Sequence, residues 1–312
     1  MKIITRIVPV LITASLVFSM SGCGASPEKV REGAKTALAS LESYKMNTKT
    51  DIKFSSDGND TTTVSEYTFD IVESPFYEKI EMSDTYDGEE TKSTMYIQEA
   101  GDEYELYMVY DDAWIKQSVD SEYLAYITGF YNFRKSVSDI IENADSFTIS
   151  GRETFNGEKC IKGVFTYNEE NLKQGLLDIN AIEALGFTDM DDAMIEGAGS
   201  LDITVLFDSK TYIPVKYSYD LKPVLQIILD KMYKEYYNIS SDEESDENTD
   251  NADKITVGSY LYENSISDIN SIEASELPEE VKSAISFEEY YNNLMAEYYS
   301  DSVQNAEETP AE

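Results

Sequence analysis

The sequence predicts an α+β fold: a curved antiparallel sheet forming a half-open β-barrel, with an N-terminal helix and inserted helices forming a lid. Three observations lead there. Runs such as Tyr67, Phe69 and Ile71 alternate apolar with polar residues, the period of a strand wet on one face. The connections are short, as in DIVESPFYEKI and LFDSKTYIPVKYSY, and parallel strands cannot be joined so briefly. Between the strand runs lie stretches with apolar residues at helical spacing. A long meander curls because strand twist accumulates. Its concave face then needs cover, and inserted amphipathic helices can supply it.

The elements follow in chain order. Residues 1–22 read as a secretion signal: Lys2 and Arg6 precede an apolar run from Ile7 to Phe18. That run falls short of the roughly 20 apolar residues needed to cross a bilayer. Met20, Ser21, Gly22 and Cys23 resemble a bacterial lipobox, in which the chain is cut before the cysteine and its sulfur carries a diacylglycerol. A signal peptide with an incidental cysteine is the competing reading. Two acyl chains on Cys23 would anchor the chain stably, at the outer face of the cytoplasmic membrane. Ser26, Pro27 and Glu28 form an N-cap, a first-turn proline and an acid suited to the helix dipole. The folded part is therefore expected to begin almost at the bilayer.

From Glu28 to Tyr44, Val30, Ala34, Ala37, Leu38 and Leu41 recur at helical spacing. Strand patterns then dominate. Tyr104, Leu106, Met108 and Tyr110 share one face of EYELYMVYDD, Leu201 to Phe207 alternate, and so do Val215, Tyr217, Tyr219 and Leu221. Asp-Gly in SSDGNDTT and SDTYDGEE reads as hairpin turns, and Pro75 and Pro214 stand where returning strands begin. Helices are expected from Ser121 to Asn143, with a bend at Gly129, then through Leu172, Leu176, Ile179 and Ile182 to Gly186, and after Pro223. The segment 239–253 is acidic with nothing to bury and reads as a disordered insert. KITVGSYLY resumes the sheet. Residues 285–312 read as a Tyr-rich helix, with Phe287, Tyr291, Leu294 and Tyr298 on one face, and an acidic tail.

Composition excludes several functions. The formal charge of −37 repels nucleic acid and anionic headgroups. With no histidine there is no Ser-His-Asp triad and no His-ligated metal. The Asp-Gly loops lack the early ligands of a calcium loop, so no cofactor or metal is expected. Acylation of Cys23 leaves Cys160 alone in GEKCIKGVFTY, read as a small buried side chain.

The order of elements resembles the LolA-like carriers and the mycobacterial lipoproteins of the LppX and LprG kind. The resemblance rests on the lipobox at Cys23, the helix SPEKVREGAKTALASLESYKM, the strand pair FDSKTYIPVKYSYDL and the closing strand ending in ELPEEVKSA. It implies a single LolA-like domain over residues 23–284. It also implies an acyl-binding cavity lined by Tyr67, Phe69, Leu106, Met108, Val205, Phe207 and Tyr217 of the sheet and by helices carrying Phe130 and Leu176. The acidic insert, the C-terminal helix and the 24 tyrosines depart from that pattern.

The expected function is a monomeric, membrane-anchored, non-catalytic binding protein for a lipid or another hydrophobic ligand. A filled core with no small-molecule ligand is the alternative, in a surface module whose tyrosines (Tyr104, Tyr107, Tyr110, Tyr236, Tyr237) contact protein or glycan. A carboxylate hydrolase would need acids such as Glu99, Glu103 and Glu105 to converge in a pocket.

Overall fold

The computed structural model describes residues 25–56, 58–129, 131–186, 190–236 and 254–296. Cys23, Phe130, the insert 239–253 and the tail from 297 lie outside the described residues, as do Tyr237 and Tyr298.

The first helix, α1 (Pro27–Ala39), starts as its cap residues dictate: Ser26 is extended and its hydroxyl accepts from the Lys29 amide at 3.3 Å. It buries Val30, Ala34, Ala37 and Leu38. The expected continuation to Tyr44 fails. Tyr44, Met46 and Thr48 all point inward at period two, and a long ladder on both sides claims them for β1 (Ser43–Ser56).

A meander follows: β2 (Asn59–Glu73), β3 (Phe76–Tyr86), β4 (Glu89–Ala100), β5 (Glu103–Tyr110) and β6 (Ala113–Val119). The β3–β4 hairpin turns at Asp87 and Gly88, with φ of 48° and 89°, the geometry for which Asp-Gly is suited. Pro75 occupies the β2–β3 turn through a cis bond, one residue before β3.

Where one helix from Ser121 to Asn143 is expected, two form: α2 (Ser121–Gly129) and α3 (Phe133–Asn143). Asn132 makes the break by capping α3, its side chain accepting from the Lys135 amide at 2.9 Å. After β7 (Ser146–Phe155) and β8 (Glu158–Tyr167), the helix expected to run to Gly186 is likewise divided. A 3₁₀ turn at Glu169–Asn171 leads into α4 (Leu172–Asp178), and left-handed Asn180 (φ 55°) separates it from α5 (Ala181–Ala184). A short α6 (Asp192–Ile195), absent from the sequence reading, precedes β9 (Leu201–Asp208). Then come β10 (Pro214–Asp220), α7 (Lys222–Tyr236) and β11 (Thr256–Ser267). The last described elements are α8 (Glu279–Lys282), β12 (Ile285–Ser286) and α9, residues 287–296.

The twelve strands of the described residues form one sheet, ordered β12-β6-β5-β4-β3-β2-β1-β11-β10-β9-β8-β7. Every pairing is antiparallel except the two-residue β12 beside β6. The edges β12 and β7 do not pair, so the barrel stays half open. The helices pack with the concave face into one hydrophobic core. A smaller cluster lies on the other face, where Leu277 and Val281 cover Val72, Tyr77, Tyr96 and Tyr107. ELPEEVKSA is thus an external strap rather than the end of the closing strand. The wet outer face expected for the meander is dry there.

Candidate functional site: the interior of the half-barrel

Strand register builds the interior row by row, because residues facing each other on neighbouring strands share a side of the sheet. One row runs Ile266, Met46, Phe69, Ile80, Met95, Met108 and Ile115. Another runs Tyr44, Ile71, Glu78, Ile97 and Leu106. A third runs Tyr67, Thr48, Asn264, Tyr217, Val205 and Gly163. The lid closes over these rows through Phe133, Val137, Ile140 and Ile141 of α3, Leu172 and Leu176 of α4, and Val224, Leu225 and Ile228 of α7.

The sequence-named lining residues come together in this core. Phe69, Leu106, Leu176, Val205, Phe207 and Tyr217 are 0–2% exposed, and Tyr67 and Met108 are half-buried against the same cluster. A side chain lining an open cavity would show surface to a water molecule. These six show almost none, so the interior around them is packed in this structure.

Sequence reading missed a polar group inside that packing. Thr48 and Asn264 stand on the inward rows of β1 and β11, Tyr217 and Tyr262 beside them, and Ser136 faces them from α3. Tyr219 and Tyr262 stack at 4.8 Å with 7° between planes, and Tyr217 lies 5.7 Å from Tyr262. Tyr131, just before α3, meets Tyr67 edge-on at 5.4 Å and tilts over Phe69. Burial holds the hydroxyls of Tyr217, Tyr219 and Tyr262 above their ordinary range, so all three stay protonated. The signal was present in the period-2 pattern of KITVGSYLYENSI, which sets Tyr260, Tyr262, Asn264 and Ile266 on one face.

Other candidates do not assemble. Glu99 accepts from the Phe76 amide at 3.0 Å, Glu105 accepts from Tyr107 and Gln98, and Glu103 is exposed at a turn. These acids serve local bonds and share no pocket. Among the described residues no group of His, Cys, Asp or Glu could hold a metal ion. Cys160 is buried on β8, and burial raises its thiol, which keeps it unreactive. Of the tyrosines weighed for contact with partners, Tyr107 is covered by the strap cluster and Tyr104 packs against Phe76, while Tyr110 is exposed.

Residues 26–257 match the model of a family of unknown function, DUF6612. The chain belongs to the DUF6612 family. No curated protein is similar enough in sequence to count as a relative of this DUF6612 member. Its fold is similar to the crystal structure of the lipoprotein LppX from Mycobacterium tuberculosis, at 14% identity and a TM-score of 0.42, over 80% of this chain and 100% of that one. LprF from Mycobacterium bovis gives 11% identity and 0.42, over 81% and 98%. A LolA superfamily protein from Nitrosomonas europaea gives 8% and 0.22, over 83% and 97%. These are the groups the sequence resembles, and at such identities the likeness concerns the arrangement of strands and helices alone. No described helix is long and apolar enough to cross a membrane.

Proposed function

We propose that this DUF6612 member is a non-catalytic, lipid-anchored extracytoplasmic binding protein whose apolar interior takes up a lipid or other hydrophobic molecule. One observation carries the reading: the β12–β6 and β7 edges of the sheet share no ladder, and helices pack near them, α1 on β7 and α2 on β5. A closed barrel could open only by breaking strand pairing. Here α2 can lift without losing any. It lies against β5 and buries only Leu124, with Ile127 half-buried. Exposing one leucine costs about 1.5–3 kcal/mol, which an incoming alkyl chain can offset with the surface it buries. Behind α2 lies β5 with Leu106 and Met108, and the same inner face continues to Phe69 and Tyr67 beneath Tyr131. The packed interior is the empty, closed form in this reading. The anchor is Cys23, placed so close to the Ser26 cap that the open seam stays within reach of the bilayer.

The test has two parts. Native mass spectrometry of the full-length protein, released from bacterial membranes, is expected to show bound lipid, and the purified protein should bind a fluorescent fatty-acid analogue saturably. Cys23→Ser should move the protein out of the membrane fraction and remove the diacylglycerol mass. Protein that is repeatedly empty and indifferent to the analogue refutes the ligand reading.

A second reading, a surface module with a filled core, is favoured by the near-zero exposure of the interior residues. It also gains from the exposed apolar group of Val109, Tyr110, Phe287, Tyr291 and Leu294 around the β5–β6 tip and α9. Saturable binding to a glycan or protein, with no lipid uptake, would select it.

A further inference from the structure

We infer that Thr48, Ser136, Tyr217, Tyr262 and Asn264 form a polar seat inside the half-barrel for a neutral O–H or N–H donor carried partway along an otherwise apolar ligand. This rests on the ligand-binding reading above and names the class of ligand. Asn264 is 0% exposed, yet its Oδ1 has no hydrogen-bond partner, and neither has the Thr48 hydroxyl. The Thr48 hydroxyl approaches that of Tyr262 as a weak donor, short of full hydrogen-bond geometry.

The remaining valences are taken. Tyr217 and Tyr262 share a hydrogen bond, Ser136 and Asn264 are within reach of Tyr217, and Asn264 Nδ2 donates to the Tyr262 hydroxyl at 3.4 Å. Turning the amide over would satisfy neither end. Its oxygen would face a hydroxyl already engaged with Tyr217, and its NH₂ would lose its acceptor.

An orphaned buried polar atom costs the full desolvation of that group, whereas an apolar side chain of the same shape would be neutral or better. The bond from Nδ2 to Tyr262 accounts for one end of the amide, and nothing in the packing accounts for the unpartnered oxygen at the other. A donor that arrives with a ligand does. Burial and neighbouring hydroxyl and amide groups, with no cation among the causes, set the shifts of Tyr217 and Tyr262, so the seat suits a hydroxyl or amide rather than a carboxylate. The rows on either side, with Met46, Phe69 and Ile266 on one and Ile203 and Phe165 on the other, suit alkyl chain.

The experiment compares stearate with a stearate hydroxylated near mid-chain, by displacement of a fluorescent fatty-acid analogue from the full chain. Wild type is expected to prefer the hydroxylated acid by about three- to ten-fold, the worth of one net hydrogen bond. Asn264→Leu should abolish the preference, so that both acids bind equally, and melt at the same temperature or higher. Thr48→Val serves as the second variant if Asn264→Leu fails to fold, with the same expectation. Equal binding of both acids by wild type, unaltered by either substitution, means that the seat holds a buried water only and overturns the inference. Binding of neither acid overturns the ligand reading, and the seat with it.

Discussion

Glu78 offers the sharpest test of how this interior is built. It sits mid-strand on β3 with its side chain on the concave face, between Ile71 of β2 and Ile97 of β4, and is 4% exposed. Burial, and then repulsion from Glu73, push its carboxyl up to about 8 from an ordinary 4.5. Arg134 pairs with Glu73 at 3.4 Å, and among the described residues no side chain hydrogen-bonds Glu78. Near neutral pH the folded protein therefore holds a proton that the unfolded chain has released. The sign follows from linkage: where the folded state binds more protons, stability falls as pH rises. The contribution is complete below the unfolded value and is lost between there and about 8, at about 1.4 kcal/mol per pH unit, for a ceiling of about 5 kcal/mol. Glu78→Gln keeps the shape and stays neutral, so it removes that slope. Urea unfolding at a series of pH values should show the variant gaining on wild type by a few kcal/mol between about pH 5 and pH 9, and gaining nothing further above that. The general repulsion among this chain's many acids is common to both proteins and cancels in the difference. Parallel stability curves for the two proteins would refute the reasoning, and with it the claim that the interior excludes water around β3.

Two other substitutions test the contacts that seat the lid. A Cβ at Gly33 would lie 2.6 Å from the Tyr212 ring, so Gly33→Ala should lose about 1 kcal/mol in thermal melts, overpacking outweighing the roughly 1 kcal/mol gained in helix propensity. In a Tyr212→Ala background the same change should stabilise; an unchanged sign would show that the ring is not the obstacle. Asp178 is buried and accepts from Tyr167 of β8, from Asn143 of α3 at 3.0 and 3.1 Å, and from Gln174 at 2.7 Å. Asp178→Ala strands those donors and should cost about 3 kcal/mol or more in urea unfolding. A loss below about 1 kcal/mol would mean that solvent reaches them.

Much of this was legible in the chain because strand and helix periods are local. The alternation through Tyr67, Phe69 and Ile71, and through Leu201 to Phe207, located β2 and β9, and the Ser26-Pro27 pair located the start of α1. Breaks were less legible. Asn132 and Asn180 divide the inserted helices through a side-chain cap and a left-handed residue, and asparagine in a sequence is equally at home on an exposed helix face. The end of α1 was misplaced for a related reason. Leu41 and Tyr44 fit a helical stripe and a strand row alike, and the choice fell to ladders with residues far along the chain. The strap of Leu277 and Val281 over Tyr77, Tyr96 and Tyr107 was invisible, since nothing local says which face of a sheet a later segment will cover.

From the sequence alone came the α+β class, the inward strand rows, the inserted helices and the exclusion of histidine chemistry, because each depends on residue type and spacing along a few turns or one strand. Only the tertiary structure decided that the interior is packed, that the two edges of the sheet share no ladder, and that Thr48, Asn264 and Tyr217 meet in one row. Those outcomes depend on register across β1, β11 and β10 and on how α3 settles over them. Such long-range pairings are selected by the whole core at once.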